Sequence, residues 1–305
     1  MDSVTTTHDQ HWPSAASLVR TETVAGRRNI GMLGIFTYTT SVTPRSWHST
    51  PAAVREALER YSTWSFTDSV DLADTMAIVD YGDVFDPDGP GGGDRVAAAM
   101  ESLDDELELV VVLGGDNAAT WHALRGLAGA DLADYGLITL DAHLDLRDGE
   151  SNGSPVRQLL EAGLDGRHVV QIGVADFSNS SFYASRARDA GITVIPRDAL
   201  RAQPIEDVIV RALDIAGGAG RRVYVDIDMD VADRSVAPGC PAAAPGGLSA
   251  DELRRAVRSI TADPRVRAID ITEIDVGRDS ADERTVRLAA LLVLEAIAGV
   301  RGRQV

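Results

Sequence analysis

Short, nearly unbroken apolar runs recur along this chain, at 30–36, 77–81, 109–113, 136–141, 168–174, 192–195, 222–228 and 267–273. Runs of this length, rich in aliphatic and β-branched residues, predict strands buried on both faces. Between them the period changes. Apolar positions three and four apart predict amphipathic helices over 51–61, 95–103, 118–128, 155–163, 180–190, 205–216, 249–261 and 281–299. In the last of these, Val286, Ala289, Ala290, Val293, Leu294 and Ile297 form one stripe. Alternation of this kind predicts a parallel sheet covered by helices on both faces. Such sheets place ligands at the carboxyl ends of their strands. Residues 1–27 are polar, rich in Thr and Ser and without period, which predicts a flexible N-terminal arm ahead of a single domain over 28–305. The Gly- and Asp-rich stretch 81–94 predicts a surface loop. Its Gly91-Gly92-Gly93 lacks the Lys-Ser/Thr ending and the spaced glycines of a phosphate cradle.

Composition narrows the class. At 305 residues the chain suits one large α/β domain, and 44% apolar content supplies a substantial core. Against 47 acidic residues stand 29 basic ones, a formal charge of −18. That balance argues against nucleic acid or an anionic membrane surface as partner, since both are bound through cationic side chains. Cys240 is the single cysteine, so no disulfide framework is expected and a cytoplasmic location is. No apolar run approaches the ~18 residues of a membrane span, and the N-terminus lacks a signal-peptide pattern.

The chemistry gathers at the ends of two predicted strands. Asp141-Ala142-His143-Leu144-Asp145 follows one, and Asp226-Ile227-Asp228-Met229-Asp230 ends another. Alternate positions on a strand point to one side, so these two ends would collect five carboxylates and an imidazole. Bare carboxylates at that density cannot all ionise side by side, and one or two divalent cations are the usual remedy. Hard oxygen donors with one imidazole suit manganese better than zinc or iron. A third strand runs into Gly114-Gly115-Asp116-Asn117, where Asp116 and Asn117 alone would read as a helix cap. A fourth ends in Asp270-Ile271-Thr272-Glu273-Ile274-Asp275, with Glu273 placed to form a wall for a cationic group.

Together GGDN, DAHLD, DIDMDVAD with the following APG and GGL, and ITEID resemble the motif set of the ureohydrolases: arginase, agmatinase, guanidinobutyrase and formimidoylglutamase. The resemblance runs from about residue 29 to 299, with motifs in the family's order. It implies a three-layer α/β/α arginase-like fold with an eight-stranded parallel sheet and a homo-oligomer. It also implies two Mn2+ per chain, whose hydroxide attacks an amidine or guanidine carbon. Carried over by position, Asn117, Asp141, His143, Asp145, Asp228 and Asp230 would be metal ligands, with Asp141 and Asp228 bridging. Asp226 falls where the family usually has serine and is kept behind the ligands. Glu273 would grip the amidinium nitrogens, and Asp145 would carry the proton.

Two departures bear on the substrate. Asn117 replaces a family histidine, and an amide oxygen is a weaker manganese ligand, which predicts one weak metal site. Asn152 replaces a histidine thought to shuttle protons, and an amide does not titrate near neutrality. Formimidoylglutamase-like members also depart from histidine there. Arg147, two residues past Asp145, stands where arginase contacts its substrate's carboxylate, and a guanidinium there can pair bidentately with one. Arg157 is a second candidate; the plain alternative is that Arg147 pairs with Asp148 or Glu150. These features favour N-formimidoyl-L-glutamate, hydrolysed to glutamate and formamide. The alternatives are an agmatinase or guanidino-acid hydrolase, and a family member that has lost turnover. A dinucleotide-binding dehydrogenase is excluded because no glycine fingerprint follows the first strand.

Overall fold

The computed structural model describes residues 9, 11–44 and 49–303. Each predicted apolar run is a strand: β2 (Arg28–Ile35), β5 (Met76–Asp83), β6 (Leu109–Gly114), β7 (Tyr135–Leu140), β8 (Val169–Val174), β9 (Thr193–Pro196), β10 (Arg222–Asp228) and β11 (Val266–Thr272). A further short strand, β1 (Val19–Arg20), pairs in parallel with β5 through Val19–Ile78 and Arg20–Val79. The sheet therefore has nine strands rather than eight, in the order β1-β5-β2-β6-β11-β10-β7-β8-β9, every pairing parallel. A small antiparallel pair, β3 (Trp64–Ser65) and β4 (Val70–Asp71), stands apart.

The extra strand also corrects the expectation of a loose arm over 1–27. Ala15 and Leu18 are fully buried, and the turn before β1 is capped by the Ser14 hydroxyl, which accepts from Ala16 N at 3.2 Å. Two apolar residues in a polar stretch have too little period to be read from sequence. Residues 1–8 and 10 of that stretch lie outside the described residues.

Eight α-helices flank the sheet among the described residues: α1 (Thr50–Ala57), α2 (Gly92–Glu101), α3 (Ala118–Ala128), α4 (Pro155–Glu161), α5 (Ser181–Asp189), α6 (Ile205–Ala216), α7 (Ala250–Thr261) and α8 (Arg284–Arg301). Local chemistry sets several of their starts. Prolines with pre-set φ open α1 and α4, and Ser249 with Glu252 forms a reciprocal capping box on α7. The strand period divides the core in two. Val223, Val225 and Ile227 of β10 face the side covered by α1, α6, α7 and α8, while Tyr224 faces the side covered by α2 to α5. Three layers result, as the motif resemblance implied.

The glycine- and aspartate-rich loop is shorter than expected and anchored. β5 continues to Asp83 and α2 begins at Gly92. Arg95 spans the loop from inside α2, donating to the carbonyls of Phe85, Asp86 and Pro90.

Candidate active site and metal centre

Four neighbouring strands, β6, β11, β10 and β7, carry the four motifs, so sheet order alone brings GGDN, ITEID, DIDMD and DAHLD to one edge. The pleat supplies only part of the final placement. β7 ends at Leu140, before the first acid. The Asp141 carboxylate accepts from His143 N at 2.6 Å, which folds the chain back on itself. Asp145 then adopts φ 50°, in the left-handed region. In the same way β11 ends at Thr272 and Glu273 sits at φ 62°. Left-handed backbone in a non-glycine residue costs on the order of 1–3 kcal/mol and collects at functional sites. Only Asp226 and Asp228 reach the site from a strand proper; Asp230 lies in the single turn that follows, where its N–H donates to Asp228 Oδ1 at 2.8 Å.

Ligand atoms of Asp141, His143 and Asp230 lie within 4.8 Å of one another. His143 Nδ1 is 2.7 Å from Asp230 Oδ2 and 3.5 Å from Asp141 Oδ1. Asp141, Asp145, Asp228 and Asp230 are all buried. Asp141 Oδ2 has no hydrogen-bond partner, nor has Asp226 Oδ1. Orphaned carboxylate oxygens in a dry interior are costly unless a cation satisfies them. The loop is braced from behind: the Asn179 amide accepts from Leu144 N and donates to Ala142 O, and Gln171 donates to Leu144 O.

The electrostatics fit a site built to receive positive charge. Burial raises the Asp141 carboxyl well above the usual range, and the charges of Asp145 and Asp230 add to it. Asp228 is raised likewise, by burial and then by Asp230 and Asp141. Burial pushes Asp145 up to about 7, against the pull of His143 and the Asn117 hydrogen bond. Burial would lower His143, but the charge of Asp230 and bonds to Asp141 and Asp230 win and push it up to about 12. Asp230, despite burial, is held low by His143.

Asn117 is turned away from the ligand role expected for it. Its Oδ1 accepts from Thr272 Oγ1 at 2.7 Å and Thr120 Oγ1 at 3.0 Å. Its Nδ2 donates to Asp145 Oδ2 at 2.7 Å and Asp226 Oδ2 at 3.4 Å. An amide NH2 donates and has no lone pair for a metal. In this arrangement Asn117 orients Asp145, and Thr120 and Thr272, which sequence reading passed over, fix which way the amide faces. Below them Tyr224 donates to Asp270 Oδ2 at 2.7 Å, and burial pushes Asp270 up to about 6.

Glu273 is buried, and its Oε1 accepts from Asn117 N at 2.8 Å and Asn152 Nδ2 at 2.9 Å. The tight turn before Asn117 permits this approach: a Cβ on Gly115 would lie 2.1 Å from Thr37 O. A cavity of about 240 Å³ opens beside the cluster, lined by His143, Asp145, Arg147, Ser178, Asn179 and Tyr183 among others. Arg147 is exposed there and has no ion-pair partner among the described residues; Asp148, its nearest candidate in sequence, pairs with Arg186 at 2.7 Å. Arg157 is spent elsewhere, on the carbonyls of Arg147 and Gly149 and on Glu161. It supports the loop that presents Arg147. A larger open groove, about 690 Å³ and lined by Trp12, Trp64 and Phe66, includes none of the motif residues.

Known proteins resemble this chain in sequence and fold. The Arginase family profile matches residues 28–299. The formimidoylglutamase of Halalkalibacterium halodurans is 34% identical over 278 residues, 88% of this chain and 86% of that protein. That of Halobacterium salinarum is 34% identical over 258 residues, 82% of this chain and 81% of the relative. The crystal structure of formimidoylglutamase from Bacillus subtilis superposes with a TM-score of 0.90 at 28% identity, covering 100% of this chain and 97% of that one. With the acid cluster, the strand order and these relatives in agreement, the chain belongs to the arginase family.

Proposed function

We propose that this chain hydrolyses N-formimidoyl-L-glutamate to glutamate and formamide, with manganese held by Asp141, His143, Asp145, Asp228 and Asp230. The relatives described above are formimidoylglutamases, which supports this substrate. The observation from this chain that carries it furthest is the unpaired Arg147 in the cavity shared with His143 and Asp145. Formimidoylglutamate presents two carboxylates and agmatine none, so a free guanidinium favours the former and repels the latter.

The donor set fits the metal. Four acidic side chains with one imidazole are the hard, oxygen-rich ligands that manganese takes, and the buried Asp141 Oδ2, without a hydrogen-bond partner, suits a cation. When bound, manganese supplies Lewis acidity and brings the pKa of water toward neutrality. The protein's own groups do the rest. Glu273 receives the cationic amidinium, its Oε1 fixed by Asn117 N and Asn152 Nδ2. Arg147 holds a substrate carboxylate, and the two charges orient the amidine carbon between them. Asp145, buried and oriented by Asn117 Nδ2 at 2.7 Å, is the carboxylate placed to take and return a proton. In the overall reaction water oxygen bonds to the formimidoyl carbon, the bond from that carbon to the glutamate nitrogen breaks, and both water protons end on that nitrogen, so the cationic amidinium gives neutral formamide and the ammonium of glutamate.

Asn152 does not titrate, so it serves here by holding Glu273 rather than by moving protons. That substitution, with Asn117, also motivates a second reading, a family member without turnover. One experiment separates these possibilities: ammonia-free product analysis for formimidoylglutamate, agmatine, arginine and guanidinobutyrate with added manganese. Formamide from the first is expected. Urea from agmatine alone would overturn the role of Arg147, and no metal uptake with no product would favour the inactive member.

A further inference from the structure

Between β2 and α1 the chain crosses the carboxyl edge of the sheet as an irregular segment, 36–44, and side chains from the surrounding loops hold it there, Arg278 at its far end by donating to Pro44 O at 2.6 Å. Asp88, from the loop after β5, accepts from Tyr38 N at 2.6 Å and Thr39 N at 2.7 Å. Asp116, fully buried after β6, accepts from Ser41 Oγ at 2.8 Å, and its own N–H donates to Thr37 O at 2.9 Å. Asn152, after β7, accepts at Oδ1 from Val42 N at 3.0 Å, and its N–H donates to Thr40 O at 3.4 Å. The opposite end of the same Asn152 amide donates to Glu273 Oε1 at 2.9 Å.

We propose that segment 36–44 is a strap whose position sets the Glu273 carboxylate, and that Asn152 is the positioning residue that transmits it. The proposal rests on the reading of Glu273 as the group that receives the amidinium. Glu273 leaves the backbone from a left-handed residue, so its direction depends on what grips the carboxylate. One grip, Asn117 N, is fixed at the start of α3; another is Asn152, which also bonds the strap at Val42 N and Thr40 O. A primary amide suits this place because it offers an acceptor to Val42 and a donor to Glu273 at once, and keeps both at every pH. A histidine at this position would change its hydrogen-bonding as it titrates. Asp88 lies far along this chain of contacts. It touches the strap and reaches Glu273 only through it.

The test compares manganese-loaded full-length protein carrying Asn152→Ala, Asn152→Asp, Asp88→Ala and the Asn152→Ala/Asp88→Ala pair. Steady-state kinetics on formimidoylglutamate and hydrogen exchange of the Val42 amide are both measured. Loss of a hydrogen bond to a charged group predicts about a tenfold or larger fall in kcat/KM for Asn152→Ala. Asp88→Ala should fall by about threefold, seen mainly in KM, and the pair no further than Asn152→Ala, because coupled residues are not additive. Asn152→Asp should keep Val42 protected yet lose activity, since it retains the acceptor and removes the donor; Asn152→Ala should lose both. Losses that multiply in the pair, or an Asp88→Ala protein with wild-type kinetics, would overturn the proposal. If wild-type protein leaves formimidoylglutamate untouched, the substrate reading fails instead, and the exchange arm still decides: an equally protected Val42 amide in Asn152→Ala sinks the strap.

Discussion

Within the site, each side chain owes its role to burial and to its immediate partners. Asp141 is fully buried with one oxygen unpartnered, so Asp141→Asn should bind manganese poorly and lose more activity than the roughly 10- to 100-fold typical of residues that merely support ligands. Metal content of the purified variant together with its turnover checks this. Arg147 offers a different readout. Removing a charge-assisted pair with the substrate carboxylate costs roughly 1.5–3 kcal/mol, so Arg147→Ala should raise KM for formimidoylglutamate by about 10- to 100-fold. Arg147→Lys should recover only part of it, because an ammonium cannot pair bidentately. A KM unmoved in both variants would remove Arg147 from the substrate pocket. Arg157→Ala acts on the same pocket from behind, by freeing the carbonyls of Arg147 and Gly149.

Among the elements, strands and helices were legible because period and length agree in this chain. The eight apolar runs are eight strands, and every amphipathic stretch overlaps a helix, with ends that differ by a few residues. What sequence could not yield was structure made by few residues or by distant ones. The pair Val19–Arg20 is too short to show alternation, yet it adds an edge to the sheet and buries Leu18 beneath it. Leu18→Ala should therefore destabilise the whole domain by about 2–5 kcal/mol, a core-sized effect that a loose arm would not give. Equilibrium denaturation measures it directly. At the site, residue types were readable and orientations were not. Spacing marked Asp141, Asp228 and Asp230 as acids at strand ends and the motif resemblance gave them their expected roles, but the amide of Asn117 faces Asp145 because of two threonines, one of them over 150 residues away (Thr272 to Asn117, separation 155). The same holds for Arg157, whose guanidinium is taken by backbone carbonyls that no sequence pattern marks. The strap over 36–44 has no period at all; its anchors, Asp88, Asp116, Asn152 and Arg278, come from separate parts of the chain.

For the molecule as a whole, the acid cluster links metal, proton and stability. In metal-free protein Asp141, Asp145 and Asp228 keep their protons to higher pH than in the unfolded chain. A raised folded pKa gives stability that is complete below the unfolded value, near ~3.9, and is lost as pH rises through the folded one. For Asp145 that loss extends to about 7. His143, raised to about 12, has the same sign and begins to lose its contribution above its ordinary range. Asp230, held low, has the opposite sign but acts only in acid, below the ordinary carboxylate range. Metal-free protein should thus melt at a lower temperature at about pH 8 than at about pH 5.5, and manganese should raise the melting point more at the higher pH, where protons no longer compete for the ligands. No helix among the described residues is long and apolar enough to cross a membrane. The most direct test of the account titrates manganese into metal-stripped protein at constant formimidoylglutamate while formamide release is followed. The account predicts no release without metal and a saturable rise with it; release indifferent to manganese, or none at saturation, would contradict it.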